Sequence, residues 1–302
     1  MTRPAQRNSG DSSSGQIIGD ITQMLAVQVE AAQSTEALAP LIADAVAAAV
    51  PRLKQGGRII LVGAGTSGRI AVQDGVELAP TYGWPTQRLK FLLAGGESAL
   101  VESSEAAEDD AALAINEISD CEITPNDVVI GVAASGRTPY TCAAIEHARA
   151  QGGLTIGIAN QPLTPLLDLA EIALCAQTGP EFIAGSTRMK AGTAQKIVLN
   201  TLSTGMMIGL GRTHRGLMTH MSVSNEKLRR RAVDIISTIA KASAEKSRQA
   251  LELAGNDLPM AILIAAGFAR PQAARALDES GGSVGPALSL LLRQSEGVSN
   301  GA

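Results

Sequence analysis

The sequence predicts an α/β fold, an open parallel sheet with helices on both faces, followed by a small helical subdomain at the C-terminus. Three observations lead there. Beyond residue 58, short apolar β-branched runs alternate with stretches of helical periodicity. Two segments, residues 59–72 (IILVGAGTSGRIAV) and 128–145 (VVIGVAASGRTPYTCAAI), share one build of apolar strand, Ser-Gly-Arg turn and helix-forming stretch. The chain of 302 residues is 45% hydrophobic but only 2% aromatic, with 31 glycines, so its core rests on Leu, Ile, Val and Ala, as where helices pack closely on a sheet.

Apolar positions at helical spacing over residues 17–53, Ala-rich over 41–50, predict one or two helices before the first strand. Strands are expected at residues 58–62, 89–93, 127–132, 154–158 and 172–176, with helices near 67–78, 103–118 and 139–151 between them. Right-handed crossovers then make the sheet parallel. A long helical run over 185–211, opened by Ser and Thr, and a charged amphipathic helix from Asn225 to about residue 244 follow. Breaks at Gly255, Gly267 and Gly281-Gly282 divide the remainder into short helices near 244–254, 260–268, 271–279 and 283–292. The chain thus divides into a polar tail (1–16), a main unit (17–244) and a helical subdomain (245–302).

Composition excludes several classes. The net charge is −4 and the cations are dispersed apart from residues 227–231, and with so few aromatic rings the chain reads as having no nucleic-acid partner. Residues 1–16 lack the apolar segment of a secretion signal, and no apolar run spans a bilayer, so a cytoplasmic protein without membrane contact is expected. Cys121, Cys142 and Cys175 have no ligand spacing, and an odd count suits a reducing compartment. His147, His214 and His220 are scattered, so no metal is expected. Gly63, Gly65 and Gly68 mimic a dinucleotide fingerprint, but no acidic ribose partner follows the next strand, and no cofactor is expected.

A strand that ends in small residues at a helix start presents unpaired N–H groups and positive dipole to an anion. The sequence builds this twice, at Thr66, Ser67, Gly68 and Arg69 and at Ser135, Gly136, Arg137 and Thr138. Both turns fall at strand carboxyl ends, and they share one site if they are neighbours where the winding reverses. A third anion-facing end is suggested at 185–211, where Arg188 and Lys190 near a helix start oppose the dipole unless an anion is present. Glu77 falls near the end of the first of these helices, before Ala79-Pro80, a place suited to a general acid. Glu102, Glu105, Glu108, Asp109 and Asp110 form an acidic cluster expected on a helix, and spacing does not choose a reactive member among them.

Taken together, GAGTSGR with DGVELAPTYG, AGGESAL with EAAEDD, DVVIGVAASGRTPY, GSTRMKAGTAQK with LNTLSTG, and NEKL at 225–228 resemble the N-acetylmuramic acid 6-phosphate etherase family of the sugar isomerase (SIS) superfamily. The likeness covers roughly residues 55 to 235, and the C-terminal LDESGG is also similar. It implies an SIS-type sandwich and a lyase that cleaves the D-lactyl ether of N-acetylmuramic acid 6-phosphate by elimination and hydration. The products are N-acetylglucosamine 6-phosphate and D-lactate, in peptidoglycan amino-sugar recycling. By resemblance the two active glutamates are Glu77, as acid, and Glu108, as the base for C2. The 6-phosphate falls to Thr66, Ser67, Gly68, Arg69, Ser135, Gly136, Arg137, Thr138, Ser186, Thr187 and Lys190. A homodimer is implied as well. The chain departs from the family pattern at Asn8-Ser9, where Asn-Pro is usual, and at Gly216 and His220, where Asn and Asp are common. Two other readings share the fold: a non-catalytic sugar-phosphate sensor like the glucokinase-regulator relatives, and a phosphosugar isomerase.

Overall fold

The computed structural model of the protein describes residues 14–102 and 105–299. Helices α1 (Ser14–Gln33) and α2 (Ala39–Lys54) precede β1 (Ile59–Gly63). Then come α3 (Gly65–Val76), α4 (Leu78–Tyr82), β2 (Leu89–Leu93), α5 (Ala111–Asp120), β3 (Val128–Val132) and α6 (Pro139–Ala150). The unit closes with β4 (Leu154–Ala159), α7 (Pro165–Leu169), β5 (Ile172–Cys175) and α8 (Lys190–Gly209). Residues 1–13 of the expected tail lie outside the described residues, and its last three, from Ser14, open α1.

The strands form one parallel sheet in the order β2-β1-β3-β4-β5. Winding reverses between β1 and β3, so the two strands that end in Ser-Gly-Arg turns are neighbours, with Gly63 in register with Val132. Strands β1, β3 and β4 are buried along their whole length, which is why they read as continuous apolar runs. Ile59, Leu61, Ile130 and Ile156 pack on one face under α2 and α8, and Ile60, Val62 and Val129 pack on the other under α5 and α6. Gly68 lets α3 seat on β1, since a β-carbon there would stand 2.8 Å from the Gly63 carbonyl carbon.

Local chemistry moves some boundaries. Helix α5 starts at Ala111, not near 103, because Asp110 caps it by accepting from the Leu113 amide at 2.9 Å. The acidic residues 105–109 form a 3-10 turn before that cap. Helix α3 ends at Val76, and Pro80 lies inside α4, within the first turn, where a missing N–H costs no hydrogen bond. Helix α8 begins at Lys190, five residues later than the run of helix formers from 185 suggests.

A tight antiparallel pair, β6 (Thr213–His214) and β7 (Leu217–Met218), follows α8. Its turn residues Arg215 and Gly216 both have positive φ, +51° and +77°, a position glycine and asparagine accept. The final helices are α9 (Glu226–Ala240), α10 (Ala244–Leu253), α11 (Leu258–Ala265), α12 (Arg270–Glu279) and α13 (Val284–Ser299). Val233, Ile235 and Ile236 of α9 share a core with Leu251 of α10 and Leu258 and Ile262 of α11. Packing therefore groups α9 with the helical subdomain, although the sequence pattern places the division after residue 244. Among the described residues no helix is long and apolar enough to cross a membrane. The three cysteines are free thiols.

Candidate active site

The carboxyl ends of β1 and β3 carry the two anion-type turns side by side. At β1, Gly65 opens α3 with φ +51°, and the first intrahelical bond runs from the Gly68 amide to the Ala64 carbonyl. The amides of Gly65, Thr66 and Ser67 therefore lack intrahelical partners and face the sheet edge. Ser67 is buried and Thr66 half-buried. At β3, Gly136 has φ +61°, and a β-carbon there would stand 2.2 Å from Thr164 Oγ1. Only glycine fits. The Ser135 hydroxyl accepts from the Arg137 amide at 3.2 Å, and Thr138 is the N-cap of α6 with its side chain free of capping duty. Arg137 is exposed and lends only Nη2, to the Leu163 carbonyl at 3.3 Å.

The third segment reaches the same edge. A β-carbon on Gly192, in the first turn of α8, would lie 3.8 Å from Thr66 Cγ2 and 3.9 Å from the Thr187 carbonyl oxygen. Ser186 and Thr187 line a cavity of about 550 Å³ with Ala134, Asn160 and Thr178, which joins the β3 turn to the α8 approach. The electrostatic conflict expected at the start of α8 is resolved within the chain. Glu181 accepts from the amides of Lys190 at 3.0 Å and Ala191 at 3.1 Å, while the buried Lys190 ammonium meets Glu30 of α1 at 3.2 Å. Both carboxylates sit where an anionic ligand was expected.

Glu108 stands over the first turn of α3. Its Oε1 lies 2.6 Å from the point a β-carbon on Gly65 would occupy, so its carboxylate is at the positive end of that helix. Arg69 does not complete a phosphate fork with all its donors: Nε and Nη2 each donate at 2.8 Å, to the carbonyls of Ala99 and Glu102. It thereby ties α3 to the segment that follows β2. Glu77 is exposed at the junction of α3 and α4. Twelve residues of α3 separate it from Gly65, which at about 1.5 Å per residue is about 18 Å. Within one chain, the phosphate-type turns and Glu108 are brought together and Glu77 is not.

Several residues at this edge escaped sequence reasoning. Gln195 of α8 donates to Asn160 Oδ1 at 2.9 Å, and Asn160 donates to the Ala176 carbonyl at 3.0 Å, all buried, which ties α8 to the ends of β4 and β5. A polar residue directly after the apolar strand IGIA is the one signal for Asn160. Glu181 lies in a loop whose sequence shows no spacing to the helix it caps.

Comparison with known proteins is consistent in fold and family. A model described as the SIS domain matches residues 103–204, and one described as the glucokinase regulatory protein N-terminal SIS domain matches residues 41–149. The N-acetylmuramic acid 6-phosphate etherase of Deinococcus radiodurans is 44% identical over 256 residues, 84% of each chain. N-acetylmuramic acid 6-phosphate etherase 1 of Enterococcus faecalis is 46% identical over 234 residues, 78% of each chain. Among solved structures, an E. coli CFT073 protein in complex with A5P aligns with a TM-score of 0.50 at 15% identity, over 67% of this chain and 95% of that one, a likeness of fold.

Proposed function

Because the chain belongs to the N-acetylmuramic acid 6-phosphate etherase family, we propose that it cleaves the D-lactyl ether of N-acetylmuramic acid 6-phosphate at the carboxyl edge of its sheet. The enzyme is a carbon–oxygen lyase of amino-sugar recycling. The observation that carries the site is the seating of the Glu108 carboxylate over Gly65, at the start of α3. The sensor and isomerase readings account for the turns without using that carboxylate against a lactyl ether.

The chemistry follows from the substrate. An alkoxide is a poor leaving group, so direct displacement by water is unattractive. In the open-chain sugar the C1 aldehyde acidifies the C2 proton. Glu108, seated over the start of α3, takes that proton. The electron pair forms the C2–C3 double bond as the C3–O bond breaks, and an acid protonates the departing lactate oxygen. Water then adds at C3 and a proton returns to C2, giving N-acetylglucosamine 6-phosphate and D-lactate. The 6-phosphate held by Thr66, Ser67, Ser135, Arg137 and Thr138, with Ser186 and Thr187 closing the cavity, fixes C2 and C3 against the base. Gly68 and Gly136 permit the close turns. Arg69 and Lys190 act as positioning residues, on the segment after β2 and at the α8 start.

The acid is Glu77 of the partner subunit in a cytoplasmic homodimer. About 18 Å of helix keeps Glu77 from its own cleft. An exposed apolar stripe on α1 (Ile18, Leu25, Val29) and an almost wholly apolar groove between α2 and α8 (Val46, Val50, Gly205) supply a surface for pairing. The reaction in labelled water tests the chemistry. Oxygen label at C3 of the sugar and deuterium at C2 are expected, and label in lactate refutes elimination.

A further inference from the structure

A second cavity of about 450 Å³ lies at the opposite edge of the sheet, in the seam between the α/β unit and the C-terminal helices. Its walls include Trp84, Arg88, Arg212, His220 and the turn Ser280 to Ser283. Both guanidinium groups face the buried Trp84 ring, Arg88 at 4.3 Å and Arg212 at 5.7 Å from its centroid. Two cations thus share one ring.

Neither arginine is neutralised. Arg88 gives Nε and Nη2 to the carbonyls of Gly57 and Leu53, and Arg212 gives Nη1 to those of Tyr82 at 3.1 Å and Gly83 at 2.8 Å. Among the described residues no carboxylate comes within ion-pair distance of either. Asp127, which acts on Arg88 from a distance, is committed to Arg58 at 2.7 Å. Asp257 and Asp278 line the adjoining cavity, and Asp257 caps α11 through the Met260 amide. Burial, with the like charge of Arg88, pushes the Arg212 guanidinium below its ordinary value. Burial likewise pushes the His220 imidazole down to about 4, so it is neutral near pH 7, its Nδ1 at 3.0 Å from Thr219 Oγ1 and its ring hydrogen-bonded to the backbones of Arg212 and Gly282.

These groups are rigidly placed. Arg212 follows Gly211, whose φ of +74° and contact with Ser283 press the end of α8 against the turn that opens α13. Nη1 of Arg88 and Nε and Nη2 of Arg212 are donors left over by these bonds, and Ser280 and Ser283 also line the cavity. Planar guanidinium forks match phosphate oxygens, and the volume suits a small phosphorylated molecule. We propose that this seam is a second anion site, which takes a small phosphate monoester between Arg88 and Arg212 and so clamps the helical subdomain to the α/β unit.

Calorimetric titration with inorganic phosphate, against chloride at equal ionic strength, tests the site. The full chain is expected to bind one more phosphate per subunit than His220→Asp, in which a new carboxylate beside Arg212 takes the place of the anion, or than Arg212→Met. Activity on N-acetylmuramic acid 6-phosphate without added phosphate should be unchanged in His220→Asp. Crystals of the unaltered protein soaked in phosphate should show density between Arg88 and Arg212. Equal stoichiometry in all three proteins, or soaked density confined to the cleft at β1 and β3, overturns the proposal.

Discussion

The Glu108 carboxylate rests over Gly65, its Oε1 2.6 Å from the place of a missing β-carbon. This contact joins the proposed base to the helix end proposed to hold the phosphate. Gly65→Ala is expected to displace the carboxylate and lower kcat by about 100-fold, since shifts near 1 Å cost that much in positioned catalysis. Gly56→Ala is the control. Gly56 also has positive φ (+95°) but no neighbour within 4 Å, so it introduces backbone strain without touching the site. Equal losses in both variants would assign the effect to strain.

The α8 start gives a second expectation. Removing its carboxylate cap in Glu181→Ala frees the amides of Lys190 and Ala191, and should lower stability by about 1 kcal/mol. Because Ser186 and Thr187 line the adjoining cavity, KM should rise by about tenfold, equivalent to about 1.4 kcal/mol, with kcat little changed. Thermal melts and steady-state kinetics check both parts. Unchanged KM with lowered stability would leave Glu181 a purely structural cap.

Most of the fold was legible because its signals are local. Apolar runs marked all five strands to within a residue or two, and the Ser-Gly-Arg turns marked the switch point. The acidic segment was harder, since the helical spacing of Glu105, Glu108 and Asp109 looks the same in a 3-10 turn, and the Asp110 cap decides where the α-helix starts. The internal partners of the α8 start were hidden, because Glu30 and Glu181 reach Lys190 from separate segments. Nor does sequence spacing report that α3 carries Glu77 away from Glu108. The family resemblance named the pair, and the helix length separates them within one chain.

Stability should depend on pH through Asp127. Burial pushes its carboxyl up, but the Arg58 side chain and the amides of Thr124 and Arg58 outweigh this, so it titrates below the ordinary carboxylate value. A depressed folded value means the stabilisation is complete above the unfolded value near 4 and is lost as pH falls through the folded one. Asp127→Asn should therefore be less stable than the parent by about 3 kcal/mol at pH 7, with the gap closing only well below about pH 4. Urea denaturation from pH 2 to 7 measures it. A gap that is constant with pH would remove the ion pair from the explanation.

In the proposed homodimer each cleft combines Glu108 of one subunit with Glu77 of the other. Glu77→Gln and Glu108→Gln should each lower turnover by about 100-fold or more alone. Mixing the two inactive proteins through subunit exchange gives the most direct test. Half of the dimers are then mixed, and each mixed dimer has one intact cleft, so about a quarter of full activity should return. Mixed dimers, confirmed to form, that stay as inactive as the parents would show that the two glutamates do not meet across subunits.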